Sequence, residues 1–310
     1  MFTNCCNSHA NGVRNIRYNF IVMVGNNYQQ THNLKRIVLD KLKHKIIDHL
    51  NKVASIDLSM YEPVFFEQTI LKRLTETNCS GYSDYYELLH KNKIESDLFI
   101  KSFQINYTEF FRNDFTFSVL NKLIIPEIIS NFNKNNHNEI RVWCAACADG
   151  QEAYSIAMLL EEHLKIKQFN YRIFATDQSD TYINTAQKGA YHTSQMGCLS
   201  LNRINNWFDK KGEFYVVKND LKKHIEFSVF DLLNKQFSCP PSSIFGNFDF
   251  VFCANLLYYY KPEFRHLILK KTSNSIIKKG YLITSETERE TLFEFKFKEV
   301  FSHSAIFQKR

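Results

Sequence analysis

Glycine is scarce in this chain: 9 of 310 residues, with no G-x-G-x-x-G and no Walker lysine among them. A dinucleotide or triphosphate needs a glycine-rich turn that lets the backbone approach its phosphates, so both ligands are excluded. The 11 histidines form no H-E-x-x-H and no His/Cys cluster. Cys144 and Cys147 make a C-x-x-C, but Cys198, Cys239 and Cys253 supply no second pair at zinc spacing, so no metal is expected. Cys144 falls in a stretch that reads as a buried strand, so the pair is expected to be structural thiols, with a redox motif as the alternative. Phe20-Ile-Val-Met-Val24 is far too short to span a bilayer, and no secretory segment is recognised. A cytoplasmic setting with free thiols is therefore expected. There are no long internal repeats. The net charge of +7 favours acidic partners but is no polybasic nucleic-acid tail.

What is present centres on residues 141–160. Arg141-Val-Trp-Cys144 reads as a buried strand, Asp149-Gly150 as a tight turn, and the apolar spacing of Ala153, Ile156, Ala157, Leu160 and Leu164 as a helix. Tyr171-Arg-Ile-Phe-Ala-Thr-Asp177 reads as a second strand ending in an acid. Strand, turn, helix, strand and acid form the nucleotide-binding half of a doubly wound sheet, with its ligand over the carboxyl ends of the strands. The acids Asp149 and Glu152 at the turn repel phosphate and suit a cationic, phosphate-free ligand. S-adenosylmethionine (SAM) has an ammonium, a sulfonium and a ribose, and Asp177 is placed to accept from ribose hydroxyls. Glu152 also fits a first-turn acid favoured by the helix dipole, and Asp177 a plain strand-end acid.

Residues 1–30 read as an irregular arm. Residues 34–53 read as an amphipathic helix with Lys35, Arg36, Lys41, Lys43, Lys45 and Lys52 on its polar face, and further helices are predicted over 61–76, 83–91 and 95–104. A helical domain is thus expected over 31–105, and a linker helix lies within 106–138, over 114–132. The α/β domain is expected over 139–310, with a weakly strand-like insert at 190–223. Within it, a helix near 179–188, strands at 225–229 and 248–253, a helix at 261–278, a turn at Lys279-Gly280, a strand at 281–285 and a last antiparallel strand over 301–308 are predicted.

Five segments in order resemble the chemotaxis receptor methyltransferases, the CheR family of SAM-dependent protein-glutamate O-methyltransferases: Asn106-Tyr-Thr-Glu-Phe-Phe-Arg112, Arg141–Leu160, Ala175-Thr-Asp177, Ile225–Gln236 and Phe248–Tyr260. Ile56–Tyr61 and Leu71–Leu74 extend the likeness into the helical region. The resemblance implies a class I methyltransferase fold: an α/β, Rossmann-like doubly wound sheet with an N-terminal helical domain and a small inserted β-subdomain, which in some members holds a receptor's C-terminal peptide. It implies SAM as cofactor, held by Asn106, Thr108, Arg112, Glu152, Asp177, Asp231, Leu232, Asn255 and Leu256. Arg112 would hold the carboxylate as a fork, Glu152 the ammonium, and Asp231 and Asn255 adenine or ribose edges. Arg112 and Tyr259 would serve methyl transfer. The implied acceptor is a glutamate on an acidic helical chemoreceptor domain, reached at the membrane only through the receptor, with no nucleic acid.

The chain departs from the family pattern at Ala148, Asp149, Gln151, Ala153, Asp231 and Ala254. Two other readings stay open: a degenerate, non-catalytic SAM- or receptor-binding module, and a SAM methyltransferase acting on RNA or a small molecule.

Overall fold

The computed structural model describes residues 40–53, 57–103, 108–132, 139–166, 168–295 and 297–310. The expected arm, Lys35, Arg36 and Asn106 lie outside these residues. The described chain divides into two compact units: the residues up to Ser59 with Pro63–Phe103, and Met60–Glu62 with the residues from Thr108 onward.

The first unit is helical: α1 (40–53), α2 (Pro63–Thr77), α3 (Tyr82–Lys91) and α4 (Lys93–Ser102). Ile46 and Leu50 of α1, Ile70, Tyr85 and Phe99 bury its core. Asn92 ends α3 and caps α4 by accepting from the Glu95 amide. The Glu95 carboxylate is buried against Arg73, which donates from Nε at 2.9 Å, and against the Tyr85 hydroxyl. Lys41, Lys45 and Lys52 stay exposed, whereas Lys43 is taken up by Glu67 at 3.0 Å.

The second unit begins with one continuous helix, α5 (Asp114–Val119), a π-helical turn at Leu120–Ile124, and α6 (Ile125–Phe132). Then come β1 (Ile140–Cys144), α7 (Gln151–Leu164), β2 (Tyr171–Asp177) and α8 (Asp180–Lys188). The insert follows as β3 (Ala190–His192), α9 (Leu201–Trp207), β4 (Phe208–Lys211), β5 (Phe214–Val217) and α10 (Asn219–Lys222). Its three strands form a separate antiparallel sheet in the order β3-β5-β4. The chain returns as β6 (Ile225–Val229), β7 (Phe248–Phe252), α11 (Pro262–Ser275), β8 (Ile276–Ile283), β9 (Phe297–Glu299) and β10 (Ile306–Lys309).

The main sheet has seven strands in the order β6-β2-β1-β7-β8-β10-β9, parallel except where β10 runs against β8 and β9. This is a doubly wound sheet closed by an antiparallel strand, as the sequence predicts. The chain moves outward from β1 through β2 to β6, then crosses back to β7 on the other side of β1. The carboxyl ends of β1 and β7 therefore flank the switch point, where such sheets bind ligands. All five residues of β7 are buried, because helices cover both faces of a parallel sheet.

Three local expectations are corrected. The helix predicted over 261–278 stops at Ser275, because Ile276 already pairs with Phe248 in β8. Lys279-Gly280 is not a turn between elements but an irregularity inside β8. The register slips between Phe248/Ile276 and Phe250/Tyr281, Lys279 sits at φ +64°, and a Cβ on Gly280 would come within 2.8 Å of the Asp249 carbonyl. The turn signal and the bulge signal are the same chemistry, so sequence could not separate them. The strand predicted over 301–308 is only Ile306–Lys309, since His303 and Ala305 take φ near +60°, and the partner strand β9 was not predicted. No helix of the described residues is long and apolar enough to cross a membrane.

Gly150, before α7, holds φ +90°, and a Cβ there would lie 2.8 Å from the Ala186 Cβ. Left-handed strain costs about 1–2 kcal/mol and overpacking about 1–3 kcal/mol. Gly150→Ala should therefore lower unfolding stability by roughly 2–5 kcal/mol in urea titration; an unchanged midpoint would contradict this packing.

Candidate active site

The turn after β1 is built on one carboxylate. Asp177, at the end of β2, accepts from the Ala148 amide at 3.1 Å and from the Ser179 amide at 3.0 Å, so it joins the turn after β1 to the turn after β2. The Cys147 amide adds a bond to the Thr176 carbonyl at 2.9 Å, and Ala148 is forced to φ +45°. Burial raises the Asp177 pKa, and the amide donors of Ser179, Ala148 and Gln178 oppose that rise. Asp149 is raised too, by burial first and then by Asp177.

The linker before α5 is tied to α7. The Phe111 amide, at φ +54°, donates to the Ser155 hydroxyl at 3.0 Å. Ser155 lies one helical turn beyond Glu152, so this bond sets the next residue, Arg112, in electrostatic reach of the Glu152 carboxyl. Glu152 keeps some solvent contact, yet its carboxyl is densely surrounded by protein. Burial pushes it up to about 8; Arg112 and a hydrogen bond with Cys144 draw it down, and Glu288 raises it. Burial likewise pushes the Cys144, Cys147 and Cys253 thiols well up, which keeps them protonated and unreactive.

The loop after β7 carries the third part. Asn255 holds φ +60°; its amide donates to Glu288 Oε2 at 2.9 Å, and the Leu257 amide to Glu288 Oε1 at 2.6 Å. Glu288 Oε2 also accepts from the Ser285 amide at 3.0 Å and the Ser285 hydroxyl at 2.7 Å. A single buried carboxylate thus joins the loops after β7 and β8. Tyr259 is half-buried and accepts from the Tyr258 hydroxyl at 2.6 Å. Burial raises its pKa first, and Arg112 acts against that rise.

Of the residues picked out by sequence, Arg112, Glu152 and Tyr259 thus come together, with Asn255 and Leu256 on the adjoining loop. Asp177 and Asp231 form a second group around Tyr61 and Tyr260. Asp231 is exposed and accepts from the Leu233 amide at 2.8 Å, as the family's asparagine carbonyl could, while Leu232 beside it is buried. Thr108 is half-buried on the linker and does not cap a helix, since 108–113 forms none. Two residues were missed. The capping-box pattern Ser285-x-x-Glu288 marks Glu288 only as a helix-start acid, and Tyr61 stands out only as the end of the Ile56–Tyr61 likeness; neither pattern names the partner the residue meets.

A fork of positive charge beside a buried carboxyl is complementary to an amino acid's carboxylate and ammonium, and Asp177 lies at the strand end where a ribose is held. The residues fit SAM. Among the described residues, no group of His, Cys, Asp and Glu has the geometry of a metal site.

Glu152 must lose its proton before it can meet an ammonium. Below about 8 that loss opposes binding, so SAM affinity should rise with pH and level off above about 8. The apo protein should show the opposite trend. The folded value exceeds the ordinary glutamate value of 4.5, so stability falls as pH climbs from 4.5 through about 8. Glu152→Gln should flatten both profiles in calorimetric titration and thermal melts. Glu288→Gln removes a neighbouring negative charge and two good acceptor positions. It should weaken SAM binding and shift the pH midpoint downward; a midpoint that stays put would show that Glu288 is only scaffold.

Comparison with known proteins agrees with this geometry. The family model described as CheR methyltransferase, SAM binding domain, matches residues 106–306, and that described as CheR methyltransferase, all-alpha domain, matches 44–103. A chemotaxis protein methyltransferase of Borreliella burgdorferi is 29% identical over 85% of this chain and 93% of its own. One of Listeria innocua is 29% identical over 76% and 84%, and chemotaxis protein methyltransferase 1 of Pseudomonas aeruginosa 33% over 62% and 69%. With both family domains matched in order across most of its length, the chain belongs to the CheR methyltransferase family.

Proposed function

We propose that this methyltransferase transfers the methyl group of SAM to glutamate side chains of an acidic, helical chemoreceptor domain, forming methyl esters. The observation that supports the reading is the electrostatic coupling of Arg112 to both Glu152 and Tyr259, which suits the charged end of the donor beside a residue that could line the transfer site.

When bound, SAM supplies an electrophilic methyl group on sulfur. Arg112 holds the carboxylate of the donor through a bidentate fork. Glu152 holds its ammonium, Asp177 its ribose hydroxyls, and Asp231, Leu232, Asn255 and Leu256 its base. Tyr259 lines the path between the acceptor oxygen and the methyl group. A glutamate acceptor is already ionised at neutral pH, so no general base is needed. Alignment and removal of water from the acceptor can supply about 7–11 kcal/mol of the barrier reduction. The exposed Lys41, Lys45 and Lys52 favour an acidic partner, with complementarity acting mainly on encounter.

Labelled SAM incubated with receptor-enriched membranes should yield protein-bound, base-labile label, the signature of a carboxyl ester. Its rate should fall as salt rises. Arg112→Ala should cost on the order of 100-fold in SAM affinity, the worth of a charged two-point contact. Tight SAM binding without any transfer to receptor would point to a binding module, and base-stable label in RNA to a different acceptor.

A further inference from the structure

Met60–Glu62, which lead from the end of the short turn Leu58–Met60 into α2, pack with the catalytic unit rather than the helical one. They run antiparallel to the segment after β7. The Glu62 amide donates to the Tyr259 carbonyl at 2.8 Å, the Lys261 amide donates to the Met60 carbonyl at 2.9 Å, and Tyr61 forms a β-bridge with Tyr260. Arg265 ties the two segments together: its Nε donates to the Tyr260 carbonyl, and its guanidinium pairs with the Glu62 carboxylate. Residues some 200 positions apart in sequence thus share a two-stranded clasp that fixes the backbone of Tyr259.

The middle residue of the clasp points at the cofactor site. Tyr61 is 4% exposed, and its ring stacks on Tyr260 with centroids 5.0 Å apart and planes 27° from parallel. Its polar neighbours are Gln178, Asp177 and Asp231. Burial pushes its pKa up, hydrogen bonds with Gln178 and Tyr260 oppose this, and the two acids add to the rise. A tyrosine with only a packing role would meet apolar side chains. This one hydrogen-bonds the Gln178 amide and lies in the field of two carboxylates, Asp177 and Asp231, at the carboxyl ends of β2 and β6, the strand ends assigned above to ribose and adenine. Arg112 and Glu152 act on each other and on Tyr259, whereas Tyr61 is in the field of Asp177 and Asp231, so Tyr61 itself is assigned to the nucleoside half.

We infer that Tyr61, backed by Tyr260, forms a wall of the adenosyl subsite and contributes directly to recognition of the nucleoside part of SAM. The inference rests on the SAM reading. It implies that residues 106–306, the stretch matched by the SAM-binding model, lack one wall of their own cofactor site.

The test uses the full chain and three probes in calorimetric titration: SAM, S-adenosylhomocysteine and 5′-methylthioadenosine, which lacks the amino-acid end. Tyr61→Phe keeps the ring stack and loses the hydroxyl that bonds Gln178 and Tyr260 and faces the subsite, so all three probes should weaken by about fivefold. Tyr61→Ala should weaken all three by on the order of 30-fold, the worth of an aromatic wall against a base. Arg112→Ala should weaken SAM and S-adenosylhomocysteine but leave methylthioadenosine at the wild-type value. If Tyr61→Ala does not fold in a thermal melt, Tyr61→Phe decides. A Tyr61→Phe protein that binds methylthioadenosine as wild type overturns the inference. So does a loss confined to the two probes that carry the amino-acid end. Wild-type protein that binds none of the three overturns the SAM reading, and this inference with it.

Discussion

Three carboxyl groups gathered at one edge of a sheet, away from bulk water, set the terms for everything around them. An enclosed carboxylate is costly unless donors meet it. Asp177 is met by backbone amides of Ala148 and Ser179, and Glu288 by three backbone amides and a hydroxyl. Each offsets its own burial by joining two loops, so the groups that would be liabilities become the rivets of the site. Among the described residues, Glu152 has no such set of amides. Burial dominates its protonation, and Arg112 compensates only in part. That shortfall is what the proposed ammonium contact would relieve.

The backbone around these carboxylates is held in uncommon conformations that only a rigid frame can maintain. Ala148, Phe111, Asn113 and Asn255 all take positive φ, and all lie within the linker and loops that carry the proposed contacts. Strain of this kind persists where neighbouring bonds over-determine it. The bond from the Phe111 amide to Ser155, the Asn113 cap on Thr116 and the Glu288 bridge are those bonds. The frame itself is the parallel sheet, with Trp143 buried and bonded to Thr176 at 2.9 Å beneath the turn.

A methyl transfer of this type asks for alignment and dryness more than for acid-base chemistry, and the arrangement provides both. Two of the departures from the family pattern, Ala148 and Asp231, keep a structural role. Ala148 acts through its amide, which any residue supplies. Asp231 accepts from Leu233 with the oxygen an asparagine would use. The structural role at both positions therefore survives the change of side chain.

Periodicity and turn chemistry made the strands β1, β2, β6 and β7 and the helices α2 to α8 legible, because each buries one face against a neighbour and needs a matching pattern. The approximate positions of Arg112, Glu152 and Asp177 followed, since each sits at the end of such an element. The slip inside β8 and the short strand β9 were not legible, because a glycine after a lysine and a run of three residues look the same in a turn as in a strand. The partners of Glu288 and Tyr61 were out of reach for a different reason. Local sequence determines which element a residue joins, but contacts such as Glu288 to Asn255 and Tyr61 to Tyr260 exist only once strands far apart in the chain are brought edge to edge. Folding alone chose those partners, because the partners of a buried polar group are decided by what lies within three ångströms of it, and that is a property of the packed chain.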